Sequence, residues 1–261
     1  MSEIEIKNLS VGYDKKTILD DISFSLKKGE VTVLLGLNGS GKTTLLKSIA
    51  GLLKPFKGSI IVKGKEISSL SSKEKAKNIS YIAQRPSSPE GLTLLDIVLM
   101  GYNSSLSLLS RVGKKEEEEA KSVIKSLFLE EKTDELFSSL SEGQKQLGIL
   151  ARALVQSSPI MLMDEPESAL DYKNRIMLLE TIRKIAKEMD KTVLLTMHSP
   201  EYAIRYADRI VTMKDKKIKR SIYLKGEKCE KIEEVLREIY GDIRLFKCGK
   251  SSYTIINESD I

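Results

Sequence analysis

The sequence has one histidine and two cysteines in 261 residues. Cys229 and Cys248 have no partner at metal-ligand spacing, so a cysteine-built metal centre is excluded, and they read as free thiols of a reducing compartment. Long apolar runs are missing as well. None approaches the ~20 residues that span a bilayer, and no signal-peptide core follows Met1. Any work at a membrane therefore needs other chains to supply the spanning part. Charge of one sign is not concentrated either. The 43 basic and 37 acidic residues leave a net +6, but the signs are interspersed, which argues against a nucleic-acid partner. There is no internal repeat and no low-complexity segment.

What is present centres on residues 31–44. The β-branched apolar run 31–35 reads as a buried strand of a parallel sheet. Gly36, Gly41, Lys42 and Thr43 follow at the spacing Gly-x-x-x-x-Gly-Lys-Thr, and 45–52 has helical character. Strand, glycine-rich loop and helix together make a phosphate site. The glycines let successive N–H groups face an anion, and the helix N-terminus adds its positive end. Gly36, Asn38, Gly39, Ser40, Gly41, Lys42, Thr43 and Thr44 are the candidate nucleotide contacts. Lys42 would reach the β- and γ-phosphates, and the Thr43 hydroxyl would ligate Mg²⁺.

Around this stretch the periodicity predicts an α/β chain. Residues 4–9 and 22–26 alternate as half-buried antiparallel strands, with Tyr13 in a loop between them. Residues 59–62 and 79–83 read as further short strands. From about 87 to 154 the pattern turns helical, over 94–100, 114–127 and 144–154, with a Gly/Ser/Asn-rich spacer over 101–110. This is an inserted helical lobe. Parallel-sheet runs return at 160–163, 193–196 and 210–213, with a helix over 172–189. In the tail, 231–240 predicts a short amphipathic helix, and 243–246 with 253–256 a hairpin.

The apolar run 160–163 ends in Asp164 and Glu165. Two acids at the carboxyl end of a buried strand suit phosphoryl transfer, which needs a metal carboxylate and a group to activate water. Asp164 is the expected Mg²⁺ partner, directly or through water, and Glu165 the candidate general base.

Six ordered motifs resemble those of the ATP-binding cassette (ABC) ATPases over nearly the whole chain. The decisive one is the signature-like 140–144, Leu-Ser-Glu-Gly-Gln, upstream of Asp164 and Glu165. Gln84 stands at the glutamine loop, 168–171 at the dimer-contact loop, His198 at the switch histidine, and Tyr13 at the aromatic that stacks on adenine. The resemblance implies a P-loop NTPase core with a parallel sheet, an N-terminal antiparallel β subdomain and the helical lobe. These would fill residues 1–224, with 225–261 as a small appendage. It implies ATP and Mg²⁺ as ligands, catalytic roles for Lys42, Gln84, Glu165 and His198, and metal contacts from Thr43, Gln84 and Asp164.

The helix beginning at the signature frees N–H groups for an anion. The resemblance implies that Ser141, Gly143 and Gln144 close on the ATP of a second ATPase subunit, so that two ATP molecules are sandwiched in a head-to-tail dimer, most simply of identical copies. Glu142 departs from the usual central glycine, and Glu167 from the usual small hydroxyl residue, where no effect on chemistry is expected. The implied role is the ATPase of an importer at the cytoplasmic face of the membrane. It would dock on transmembrane permease subunits through 84–89 and the start of the lobe, and be served indirectly by a substrate-binding protein. Runs 96–101 and 234–241 resemble ATPases for iron–siderophore, haem or cobalamin uptake. The alternative is a soluble ABC ATPase of iron–sulfur cluster assembly.

Overall fold

A computed structural model of the chain describes residues 2–14, 16–84, 90–104, 112–248 and 252–257. Strands β1 (Ser2–Tyr13) and β2 (Lys16–Lys27) pair antiparallel, and β3 (Val31–Gly36) leads into helix α1 (Lys42–Ile49). Then come β4 (Lys57–Val62), the short β5 (Lys65–Glu66), α2 (Ser72–Asn78) and β6 (Ile79–Ile82). The lobe holds α3 (Leu94–Leu99), α4 (Lys114–Ser126) and α5 (Glu142–Val155). Strand and helix then alternate through β7 (Ile160–Asp164), α6 (Tyr172–Glu188), β8 (Thr192–Met197), α7 (Pro200–Tyr206) and β9 (Arg209–Lys214). Last are β10 (Lys217–Tyr223), α8 (Cys229–Tyr240), β11 (Ile243–Cys248) and β12 (Ser252–Asn257).

Among the described residues, these strands make an antiparallel sheet in the order β2-β1-β4-β5, a central sheet in the order β10-β9-β3-β8-β7-β6, and a two-stranded antiparallel sheet of β11 and β12, the hairpin expected in the tail. The central sheet is parallel apart from β10, which pairs antiparallel to β9. Its apolar runs are continuous because both faces are covered. Val31, Val33 and Leu35 join the core shared with the lobe and α6–α8, while Leu34 joins the core shared with α1 and the antiparallel sheet. Met161 and Met163 divide from Ile160 and Leu162 in the same way. The alternation follows from the period of two along a strand.

The structure departs from the sequence reading in several places. Tyr13 ends β1 rather than sitting in a loop. Four elements were not anticipated, the first being the two-residue strand β5. Helix α2 buries none of its residues and is held by a Ser71–Glu74 capping box, so it lacks an apolar stripe. Helix α7 starts at Pro200, which suits a first helical position. Strand β10 follows a tight turn in which Asp215 and Lys216 both have positive φ, and its three intervening cations obscure the alternation. Apart from Gln84, the expected docking segment 84–89 lies outside the described residues, as do 105–110 of the spacer. In the tail, Ile232, Val235, Leu236 and Ile239 are buried at helical spacing in the same core as the lobe.

Candidate functional site

Strand β3, buried along its whole length, delivers the glycine-rich loop to the carboxyl edge of the sheet. Close approach dictates glycine at two points. A Cβ on Gly36 would lie 2.5 Å from the Met213 carbonyl oxygen and 2.7 Å from Ser40 Oγ. Gly41, the N-cap of α1, has φ +99°, and a Cβ there would stand 2.4 Å from Leu19 Cδ2. The Ser40 hydroxyl is buried with no hydrogen-bond partner, and Ser40 lines the cleft above. An orphaned donor at a helix N-terminus fits an anion placed there.

Lys42 is buried and folds back on its own loop. Its Nζ donates to the carbonyl oxygens of Gly36 (2.8 Å) and Leu37 (3.4 Å) and lies 3.9 Å from Glu165 Oε1. Burial lowers its pKa, while the carboxylates of Glu165, Asp164 and Glu167 pull the other way.

The carboxylates are held from the neighbouring strand. Parallel pairing sets Asp164 beside Thr196. The Thr196 hydroxyl donates to Asp164 Oδ1 at 2.8 Å and accepts the backbone N–H of Glu165 at 2.9 Å. That bond fixes Glu165 in a left-handed conformation, φ +48°, which non-glycine residues adopt at a cost. Its side chain then meets two donors. Gln84 Nε2 donates to Oε2 at 2.5 Å, and His198 Nε2 is 2.5 Å from Oε1. Lys42, Gln84 and His198 thus converge on one carboxylate. The Tyr81 phenol stands near Asp164, and burial first, then the charge of that anion, raises the phenol pKa.

Tyr13, Asn38, Gly39, Ser40, Gly41 and Lys42 line one cleft of about 500 Å³. Thr43, Thr44, Gln84, Glu165 and His198 complete it, together with Ile18. Gly36 belongs to the strand end behind the loop, and Asp164, only 2% exposed, sits one layer below the lining. Ser141, Gly143 and Gln144 are elsewhere. They line a separate cavity of about 480 Å³ that shares no residue with the first. Ser141 and Gln144 cap each other, Gln144 N–H to Ser141 Oγ at 3.3 Å and Ser141 N–H to Gln144 Oε1 at 3.0 Å. Glu142 turns outward and pairs with Lys145 at 2.9 Å, its side chain 70% exposed. In the following loop Ser168 and Ala169 are exposed, Leu170 packs toward Gly143, and Asp171 caps α6 through the Asn174 N–H at 2.8 Å. Among the described residues no cluster of three or more His, Cys, Asp or Glu side chains is arranged to hold a metal.

Sequence reasoning did not single out Ile18, Tyr81 or Thr196. Thr196 carried a signal, a hydroxyl directly after the apolar run 193–195, fully buried in the fold. Glu167, read as inconsequential, is 5% exposed with an unpartnered Oε2, and burial pushes its pKa up to about 7.

A model of the ABC transporter family matches residues 19–168. A probable siderophore transport system ATP-binding protein of Bacillus subtilis is 38% identical over 218 residues, 84% of this chain and 79% of its own length. A probable iron chelatin transport ATP-binding protein of Helicobacter pylori is 43% identical over 216 residues, 82% of this chain and 85% of its own. Among solved structures, a chain described as part of a metal-chelate type ABC transporter in an inward-facing conformation superposes with a TM-score of 0.83. It is 25% identical, and the match covers 100% of both chains. A dimeric cassette, MJ0796, in a post-hydrolysis state with ADP and phosphate, reaches a TM-score of 0.78 at 28% identity over 86% of this chain and 100% of its own. With the phosphate loop, Glu165, glutamine and histidine gathered in one cleft and Asp164 just below it, this chain belongs to the ATP-binding cassette ATPases of the ABC transporter family.

Proposed function

We propose that the chain is the ATP-hydrolysing subunit of an importer, that two copies dimerise head to tail around two ATP molecules, and that this dimer drives transmembrane permease subunits. The observation that carries this reading is the separation of the two half-sites. The phosphate loop and the Ser141 helix tip line different cavities of one chain, and a second copy placed head to tail would bring its helix tip to the cleft as a second wall. The loop N–H groups and the Ser40 hydroxyl would hold the phosphates, with Tyr13, 43% exposed at the cleft rim, under adenine. Lys42 would exchange the carbonyls of its loop for the β- and γ-phosphates. Gln84 and His198 would exchange Glu165 for the incoming nucleotide, which frees that carboxylate to accept a proton from water. Water oxygen then bonds to the γ-phosphorus as the bond to the ADP oxygen breaks. Mg²⁺ would be held by Thr43, Gln84 and Asp164, Asp164 through water given its depth, and when bound it neutralises phosphate charge.

The relatives' names support an iron complex as cargo, cobalamin being the close alternative within the same importer group. They do not favour an iron–sulfur assembly role. No helix among the described residues is long and apolar enough to cross a membrane, which supports a peripheral subunit on the cytoplasmic face, served indirectly by a substrate-binding protein. The test is reconstitution in vesicles with the multi-spanning protein that co-purifies with the chain. Hydrolysis should rise when a binding protein loaded with ferric siderophore is added. Stimulation by cobalamin alone, or co-purification with no membrane protein, would overturn the cargo or the transport role respectively.

A further inference from the structure

The C-terminal appendage reaches the cleft at a point that the reaction chemistry does not require. Helix α8 is anchored by Ile232, Val235, Leu236 and Ile239, and its last residue, Tyr240, projects from that fixed base. The Tyr240 hydroxyl donates to the backbone carbonyl of His198 at 3.2 Å. Burial, with Glu201 adding to it, pushes the Tyr240 phenol up to about 12, so it stays a donor across the working pH range. A second link runs beside the first. Lys214 Nζ donates to the Glu238 carbonyl at 2.9 Å, which suits a cation at a helix C-terminus. Lys214 follows Met213, whose carbonyl lies against Gly36 of the phosphate loop. The end of α8 is therefore tied to the turn carrying His198, which lines the cleft, and to the end of β9, which lies behind the phosphate loop.

We infer that Tyr240 is a positioning residue, which holds the turn carrying His198 so that Nε2 meets Glu165 before ATP arrives and the γ-phosphate afterwards. The inference rests on the role proposed above for His198. It makes the appendage part of the hydrolytic machinery, since movement of α8 would shift the imidazole directly.

The chain's single histidine gives a clean readout, because one imidazole signal in the NMR spectrum is His198. Tyr240→Phe keeps the ring and removes only the donor. It should lower kcat for ATP about two- to tenfold, the range one hydrogen bond spans, with KM for ATP within about twofold and a displaced imidazole signal. Glu234→Gln, on the same helix but paired outward with Arg220, should change none of these. In a His198→Ala background, Tyr240→Phe should cost nothing further, since the two act in series. The outcomes separate the two claims. If His198→Ala hydrolyses like wild type, the histidine's role fails. If His198→Ala is impaired while Tyr240→Phe matches wild type in kcat and imidazole signal, the positioning role fails. A Tyr240→Phe loss that persists undiminished in the His198→Ala background would also overturn it, as a general effect on folding.

Discussion

Replacing Glu167 by Gln should leave stability unchanged in acid and raise it at alkaline pH. Glu167 is 5% exposed, and one carboxyl oxygen has no hydrogen-bond partner. Burial raises its pKa from 4.5 to about 7, helped by Glu165 and Asp164 and opposed by Arg175. An acid that holds its proton more tightly when folded favours the folded state at low pH. That advantage is complete below pH 4.5, drains as pH rises toward 7, and is gone above it. At about 1.4 kcal/mol per pH unit, ionising this side chain in place costs about 3 kcal/mol. Gln has the same shape and never ionises. Thermal unfolding of both proteins should give matching Tm values near pH 4.5. Above pH 8 the variant should be higher by roughly 6–12 °C, using ~2–4 °C per kcal/mol for a chain of this size. Other groups titrate in both proteins, so the difference between the curves is the measurement. Curves that stay parallel from pH 4.5 to 8 would show that Glu167 is not buried as an acid.

Three further outcomes follow from the same cleft. Glu165→Gln should bind ATP and form dimers by light scattering, yet turn over about 10²–10⁴-fold more slowly; near-normal hydrolysis would remove Glu165 from the base role. Lys42→Ala should lose ATP affinity itself in equilibrium binding, because the displaced cation is the buried charge nearest the loop, and unchanged affinity would refute the phosphate assignment. Thr196→Val keeps the shape but removes the hydroxyl shared by Asp164 and the Glu165 N–H, so denaturant unfolding should show a loss of about 1–3 kcal/mol along with a fall in kcat.

Much of this protein is written locally. The phosphate loop is legible because its chemistry demands glycine at fixed intervals after a strand, and those demands are met within eight residues of chain. The core strands 160–164 and 192–197 announce themselves because burial on both faces leaves little room for polar residues, apart from Thr192 at the start of β8 and the Thr196 hydroxyl and Asp164 carboxyl that serve the site. The amphipathic α8 is readable from its spacing alone.

Other features arise only where distant segments meet. Thr196 looks like an ordinary β-branched residue until parallel pairing sets it beside Asp164, 32 residues away. Glu167 reads as a substitution without chemical effect until the fold buries it and strips its water. Tyr240 reads as one more apolar position on a terminal helix, and its bond to His198 crosses 42 residues. Local spacing sets which chemistry a chain carries, because it acts through backbone geometry within one turn or strand. Burial, and hence pKa and hydrogen-bond partnership, depends on what packs from elsewhere, so it exists only in the folded molecule.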